Sequence, residues 1–154
     1  MGHAKVKPLY NPATDIEDDL YLWCYEQAEL LRHRRFGELD LPNLIEELES
    51  MARKDKHALT SAYRVLLQHL LKWQFQPQLR GSSWEITIRA QRREIETLEE
   101  QNPSLAAKVE DLLLSAYAKA RQDAIAETRL PQSLFPESRP YTIGDIRNLD
   151  WLPD

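Results

Sequence analysis

Residues 43–76 read NLIEELESMARKDKHALTSAYRVLLQHLLKWQFQ and contain neither glycine nor proline. Their apolar members recur every three or four positions, which is the spacing of one helix face. The stretch therefore predicts one helix of about 33 residues and roughly 50 Å, with a break at RKDKH, residues 53–57, as the alternative. The predicted apolar stripe comprises Leu44, Leu48, Met51, Ala52, Leu59, Ala62, Tyr63, Leu66, Leu70 and Trp73.

The second half of this helix is predicted to be the buried central element of the fold. Three further apolar residues lie off the stripe, namely Val65, Leu67 and Leu71. The segment is thus apolar over most of its circumference, as expected of a helix covered on several sides. A turn follows at residues 76–82, QPQLRGS, and Trp73 and Trp84 on either side of it are expected to hold it by aromatic packing.

A shorter helix is expected before the long one. Thr14 and Glu17 have the spacing of a capping box, in which two side chains satisfy the free amides of a helix start. The helix should end near residues 32–37, RHRRFG, where basic side chains suit the negative end of the helix dipole. The long helix then begins beside Pro42, since proline is well tolerated in a first turn.

Two more helices are expected after the turn. Ser82 and Glu85 form a second capping box, and the helix they open should stop at QNP, residues 101–103. Asn102 then opens a helix with the most regular amphipathic stripe of the chain. That stripe comprises Leu105, Val109, Leu112, Leu113, Ala116, Tyr117, Ala120 and Ala124.

The chain changes character after Leu130, where prolines recur and helical spacing is lost. This segment is predicted to be an extended strap with one short helix near residues 143–148, fixed by the aromatic side chains Phe135, Tyr141 and Trp151. The predicted fold class is all-α, a helical bundle with a long central helix and a Pro-rich C-terminal strap. We expect one domain over residues 1–154, with its core at about 14–128 and its strap at 129–154.

Composition restricts the classes of function. The 154 residues are 42% hydrophobic and 29% charged with a net charge of −5, which is typical of a globular domain and unlike a general polyanion binder. The single cysteine, Cys24, cannot form an internal disulfide and is expected to pack in the core. Residues 1–12 lack the apolar run of a signal peptide, and no apolar cluster approaches the ~20 residues of a membrane span. These features predict a cytoplasmic protein without membrane contact.

The order of motifs resembles a known family. Residues 19–77 are followed by RGSSWEITIRAQRREI at 80–95 and LPQSLFPESRPYTIGDI at 130–146. This succession, from about Leu20 to Trp151, resembles the bacterial domain of unknown function 29 family. The resemblance implies a small helical bacterial protein of a kind abundant in cyanobacteria, with no established activity and no catalytic or binding residue to transfer.

The residues capable of chemistry do not form a recognisable motif. His57 and His69 are 12 positions apart, which separates them by roughly 120° around one helix and prevents a shared metal ion. Glu46 and Glu49 could meet at i, i+3, but no Glu-x-x-His pair completes a dimetal site. We therefore expect no metal and no cofactor. His69 borders the predicted core, and we expect it to make a structural hydrogen bond rather than to act as an acid or base.

Charge is segregated along the chain. Residues 15–49 contain eleven acids and three bases, whereas residues 64–93, the basic hairpin, contain six bases and one acid. In one interpretation, Glu46, Glu47 or Glu49 pairs with Arg89 or Arg92 inside the protein. In a second, the arginines are exposed and form an anion site with Arg80 and the amides near Ser82 and Ser83. The third is a plain solvated face with i, i+4 pairs.

Three functions remain open, and whether the protein is an enzyme is among the open questions. The leading hypothesis is a non-enzymatic helical interaction or regulatory module, with a protein partner or a homo-oligomer. The alternatives are a nucleic-acid-associated or anion-binding protein that uses the basic hairpin, and a hydrolase. The candidate functional residues are His69, Lys72, Arg80, Arg89, Arg92, Glu46 and Glu49.

Overall fold

A computed structural model describes residues 5–154, so the first four residues of the predicted domain lie outside the described residues. All the regular structure in this part of the chain is helical. The helices are α1 (Leu20–Arg32), α2 (Leu41–Phe75), α3 (Ser82–Gln101), α4 (Pro103–Ala106), α5 (Val109–Thr128) and α6 (Ile143–Arg147). The predicted all-α class with a long central helix is confirmed.

Helix α2 is continuous for 35 residues, so the alternative break at residues 53–57 does not occur. Its apolar stripe has two environments. From Leu59 onward the stripe is buried, and the off-stripe residues Leu67 and Leu71 are buried as well. Between Leu41 and Met51, by contrast, the large apolar side chains are mostly exposed.

The chain divides into two compact units, and the boundary falls within α2 after Ala52. In the first unit, α1 begins later than predicted, because Asp19 caps it by accepting a hydrogen bond from the Leu22 amide. The predicted capping box is therefore wrong. Thr14 instead binds the Glu26 carboxylate through its amide, at 2.9 Å, and its hydroxyl, at 2.8 Å.

The interior of the first unit is small. Trp23 and Leu30 are buried on one face of α1, and the Trp23 indole donates to the Asp40 carboxylate at 3.1 Å. Gln27 accepts from the Asp40 amide at 2.9 Å, which fixes the start of α2. Cys24 lies on the outer side of α1 and is exposed, so the prediction that it packs in the core is wrong.

The second unit has a large core formed by α2 from Leu59 onward, α3, α5 and the strap. Helix α3 begins at Ser82 as predicted, but Gly81 is its N-cap and no side chain caps it. The helix predicted to open at Asn102 is split into α4 and α5, with a turn at residues 107–108. Helix α5 ends at Thr128, and the left-handed backbone of the capping residue Arg129 (φ 56°) directs the chain into the strap.

The strap is fixed by side chains that are buried against the helices. Phe135 packs edge-on against Phe75, with ring centroids 5.4 Å apart, and the Tyr141 ring contacts Trp151 in the same way at 5.5 Å. The Tyr141 hydroxyl also donates to Gln74 at 2.7 Å. The predicted short helix is α6, which begins at a Thr142 cap. These contacts position the last 25 residues along the second unit.

The described helices include none that combines the length and apolarity of a membrane span. The prediction that the chain is one domain remains a prediction.

Candidate functional site

The predicted site residues occupy separate places in the fold. Glu46 and Glu49 are exposed on the first part of α2, and each already has an interaction partner. His69 and Lys72 lie on the last turns of α2, Arg80 lies in the following turn, and the remaining arginines lie on α3. Each of these side chains therefore has its own environment.

Lys72 is buried and has polar and aromatic partners. Its side chain is only 4% exposed, and its ammonium group donates to Glu127 of α5 at 2.7 Å. The same ammonium lies over the Trp84 ring, 4.6 Å from the centroid. Gln68 donates to the other Glu127 oxygen at 2.5 Å. Lys72 thus has both a carboxylate and an aromatic partner, which is how a buried cation is normally accommodated.

His69 is a hydrogen-bonding residue at the edge of the core, as predicted. Its Nδ1 donates to the Val65 carbonyl of the preceding turn at 2.8 Å. Burial lowers the pKa of the imidazole, and the nearby Lys72 charge lowers it further, whereas the Val65 carbonyl and Glu127 oppose the shift. The neutral ring is therefore favoured in the folded protein.

We expect His69→Gln to reduce the acid sensitivity of the fold. Because the folded pKa is lowered, the unfolded chain binds more protons below its own histidine pKa of about 6.5. The stability contributed by neutral His69 is therefore present above that pH and is lost as the pH falls. Urea unfolding measured between pH 8 and pH 5 should show that the free energy of unfolding falls less with pH for His69→Gln than for the native chain. An unchanged decline would contradict the role of burial at His69.

Arg80 closes the end of α2. Its Nε donates to the carbonyl of Trp73 at 2.7 Å, and its guanidinium lies 5.2 Å from the centroid of the Trp73 ring. The carbonyl is one of those left free at a helix C-terminus, where a cation is favourable. The two tryptophans that flank the turn therefore each pack against a cation, a contact the sequence did not indicate.

Arg92 is the most deeply buried of the predicted arginines, at 3% exposure. Its guanidinium donates to three backbone carbonyls in and after α6, at 2.8 Å (Ile146), 3.3 Å (Asp145) and 3.4 Å (Leu149). These carbonyls take the place of the carboxylate partner predicted for Arg92. Burial lowers the pKa of Arg92 to about 10, partly opposed by the Asp150 charge, so the group stays protonated at neutral pH.

Arg64 provides the remaining internal contact of the basic hairpin. It makes a two-point hydrogen bond to Asp123 of α5, with distances of 2.6 and 2.8 Å. Four of the six basic residues of the hairpin, Arg64, Lys72, Arg80 and Arg92, thus bind α5 carboxylates or backbone carbonyls within the second unit. The other two, Arg89 and Arg93, are exposed on α3 beside a shallow groove of about 450 Å³.

A polar network that the sequence did not indicate connects three elements. The hydroxyl of Tyr63 donates to Glu99 at 2.6 Å, and Arg147 donates to both of them, at 3.2 and 2.9 Å. Burial and the Glu99 carboxylate raise the pKa of Tyr63 above its usual value. A cavity of about 320 Å³ adjoins the network and is lined partly by Arg92 and Leu149. No local motif could reveal residues so distant in sequence.

The described part of the chain contains no group of three or more His, Cys, Asp or Glu residues placed to hold a metal ion. Its polar clusters consist of groups that already satisfy one another, and buried side-chain nitrogen and oxygen atoms among residues 5–154 all have hydrogen-bond partners. Such clusters hold the fold together and leave little unsatisfied hydrogen-bonding capacity for a ligand.

The first part of α2 offers a different kind of surface, which we call the α2 stripe: Leu41, Ile45, Leu48 and Met51. Their exposed fractions are 53%, 55%, 64% and 63%. The spacing places all four on one face of the helix, in line with Leu59 and Leu66 farther along. A contiguous exposed apolar face of this kind is typical of an interaction site, whereas single exposed apolar residues are common and carry no such meaning.

The fold and these contacts define an all-α protein built on one long helix. The chain belongs to the family named Domain of unknown function DUF29, whose family model matches residues 16–152. This finding confirms the resemblance seen in the sequence. Curated proteins and solved structures provided no match to the chain.

Proposed function

We propose that this protein is a non-enzymatic interaction or regulatory module that binds its partner through the α2 stripe. The observation that carries the proposal is the change along a single helix. The same apolar face is buried from Leu59 onward and exposed from Leu41 to Met51. Exposed apolar surface of this extent costs free energy in water, and a bound partner would remove that cost.

The other two hypotheses have less support from the contacts. A nucleic-acid or anion site in the basic hairpin would rely on Arg89 and Arg93, because the other four cations have partners inside the second unit. The contacts of His69 give a hydrolase only an oriented ring, in which Nδ1 donates to the Val65 carbonyl and Nε2 remains able to exchange a proton. We place the protein in the cytoplasm, where an exposed thiol such as that of Cys24 stays reduced.

Site-specific photo-crosslinking tests the proposed function. We expect a benzophenone amino acid at position 48 to yield a discrete cross-linked product in cells. The same group at position 93, an exposed residue of α3, should yield little or none. The products are separated by denaturing electrophoresis and identified by mass spectrometry. Absence of a product at position 48, or equal yields at both positions, would contradict an interaction site on the α2 stripe.

A further inference from the structure

We propose that the cavity beside α6 is a binding site for a small organic amine, a ligand that carries one ammonium group on an apolar body. The volume of the cavity is about 320 Å³, at the small end of the ~300–1,000 Å³ that is usual for ligand pockets. Its lining residues all belong to the second unit, whereas the α2 stripe belongs to the first. The site is therefore a further function, independent of the proposed interaction.

Glu99 has one carboxylate oxygen that the polar network leaves unused. Tyr63 and Arg147 donate to this side chain at 2.6 and 2.9 Å, and both of them donate to Oε1. Within residues 5–154, no group donates to Oε2. Because the buried side-chain oxygens of this part of the chain all have partners, Oε2 must be accessible. The Glu99 side chain is only 13% exposed and lines the cavity, so Oε2 is an acceptor for a donor group placed there.

Negative charge is in excess around the cavity. The lining contains two guanidinium groups and three carboxylates, which gives a net charge of −1: Arg92, Arg147, Glu96, Glu99 and Glu100. Glu96 and Glu100 are exposed, and neither has an ion-pair partner in the described part of the chain. A ligand with a single positive charge neutralises this lining, whereas an anion adds to its excess charge.

Arg147 is the group that an anionic ligand would use instead. Its Nε and Nη2 are bound to Tyr63 and Glu99, and Nη1 has no acceptor among residues 5–154. The charge of Arg147 is already shared with Glu99, and an anion beside it would also meet the unpaired carboxylates of Glu96 and Glu100. An ammonium group therefore has the better-matched surroundings, and a carboxylate analogue is a control in the experiment below.

An apolar wall distinguishes an organic amine from a hydrated inorganic cation. Ile95 is 2% exposed and precedes Glu99 by one helical turn, which places both on the same face of α3. Leu149, which follows α6, lines the cavity too and is 42% exposed. The hydrocarbon body of an amine removes this apolar surface from water, which is favourable, whereas a hydrated ion leaves it wet.

Three probes that share one apolar body test the recognition of charge: phenethylamine, phenethyl alcohol and hydrocinnamate. Isothermal titration calorimetry on the full chain near neutral pH should show that the amine binds about tenfold more tightly than the alcohol, because hydrogen bonds between ions are stronger than neutral ones. Hydrocinnamate should bind most weakly. No binding of the amine, an equal affinity for the alcohol, or tighter binding of hydrocinnamate would overturn the proposal.

Glu99→Gln tests the unused oxygen. Glutamine keeps one oxygen for Tyr63 and Arg147 and replaces Oε2 with an amide nitrogen, which donates and cannot accept. The affinity for phenethylamine should fall about tenfold. Glu94→Gln is the matched control and should bind normally, because Glu94 is exposed on α3 and is not part of the lining. A folded Glu99→Gln variant that binds the amine as tightly as the native chain would overturn the proposal.

Glu96→Gln with Glu100→Gln tests the charge of the lining and leaves the polar network intact. Both side chains are exposed, so the double variant should keep the native melting temperature. Removal of two negative charges should weaken phenethylamine about threefold and strengthen hydrocinnamate. An unchanged ratio of the two affinities would overturn the proposal, and this test holds even where Glu99→Gln does not fold.

Methyl NMR spectroscopy locates the bound amine. On addition of phenethylamine, the methyl signals of Ile95 and Leu149 should shift, because both side chains line the cavity. Ile86 is the matched control, since it lies on the opposite side of α3 from Ile95 and is 69% exposed. Equal shifts at all three residues, or a shift at Ile86 alone, would indicate nonspecific binding to exposed apolar surface and overturn the proposal.

Discussion

Arg92→Ala is expected to lower the free energy of unfolding by about 2–4 kcal/mol, which corresponds to a fall in melting temperature of about 10 °C. The substitution leaves a void in place of a buried side chain, removes the donor of the buried Ile146 carbonyl and breaks the contacts with the Asp145 and Leu149 carbonyls. A buried carbonyl without a donor is costly, and the loss of the buried charge offsets only part of that cost.

Urea unfolding followed by circular dichroism measures this effect. Arg93→Ala is the matched control, since Arg93 is the next residue on α3 and is exposed; its free energy of unfolding should change by less than about 0.5 kcal/mol. Arg92→Lys should be nearly as harmful as Arg92→Ala, because a single ammonium group cannot reach three separate carbonyls. Equal stability of Arg92→Ala and Arg93→Ala would show that Arg92 does not hold the strap.

Leu66→Ala is expected to cost about 2–5 kcal/mol, whereas Leu48→Ala on the same helix should change the free energy of unfolding by less than about 0.5 kcal/mol. Leu66 is completely buried, so its truncation leaves a cavity that the core cannot fully close. Leu48 lies on the α2 stripe and loses only exposed surface. The two substitutions are chemically identical, so the difference reports only the environment of each leucine.

This comparison is made on dilute protein, at about 1 µM, so that association contributes little to stability. Both variants should retain the helical circular dichroism of the native chain at low temperature. A similar large loss for Leu48→Ala in dilute protein would mean that the first part of α2 is covered within the monomer. The α2 stripe would then not be an interaction surface.

The long helix could be predicted from sequence because its evidence is local. Absence of glycine and proline, together with regular apolar spacing, is sufficient to predict α2, and the proline-rich composition after Leu130 is sufficient to predict the strap. The positions of the helix ends were less certain. Thr14 and Glu17 match a capping box, but Thr14 binds Glu26 instead and Asp19 caps α1, because the tertiary contact satisfies Thr14 better than the local one.

The partners of the charged residues could not be predicted in the same way. One interpretation of the segregated charges paired Arg89 or Arg92 with an acid of residues 46–49, but Arg92 binds backbone carbonyls instead. Two of the six bases of the basic hairpin, Arg64 and Lys72, have carboxylate partners, and both carboxylates lie on α5. No charge count along the chain can reveal these partners. The exposure of Cys24 could not be predicted from its neighbours either, since Cys24 lies near the apolar residues of α1 in sequence but on the exposed side of the helix.

Photo-crosslinking from the α2 stripe tests the central claim most directly. With the benzophenone amino acid at position 48, the otherwise native chain should yield a discrete cross-linked product in cells. Adding Ile45→Glu should remove that product and leave the helical content unchanged, because a charged side chain is costly to bury against a partner. No product from the otherwise native chain, or an equal yield with Ile45→Glu, would contradict the account.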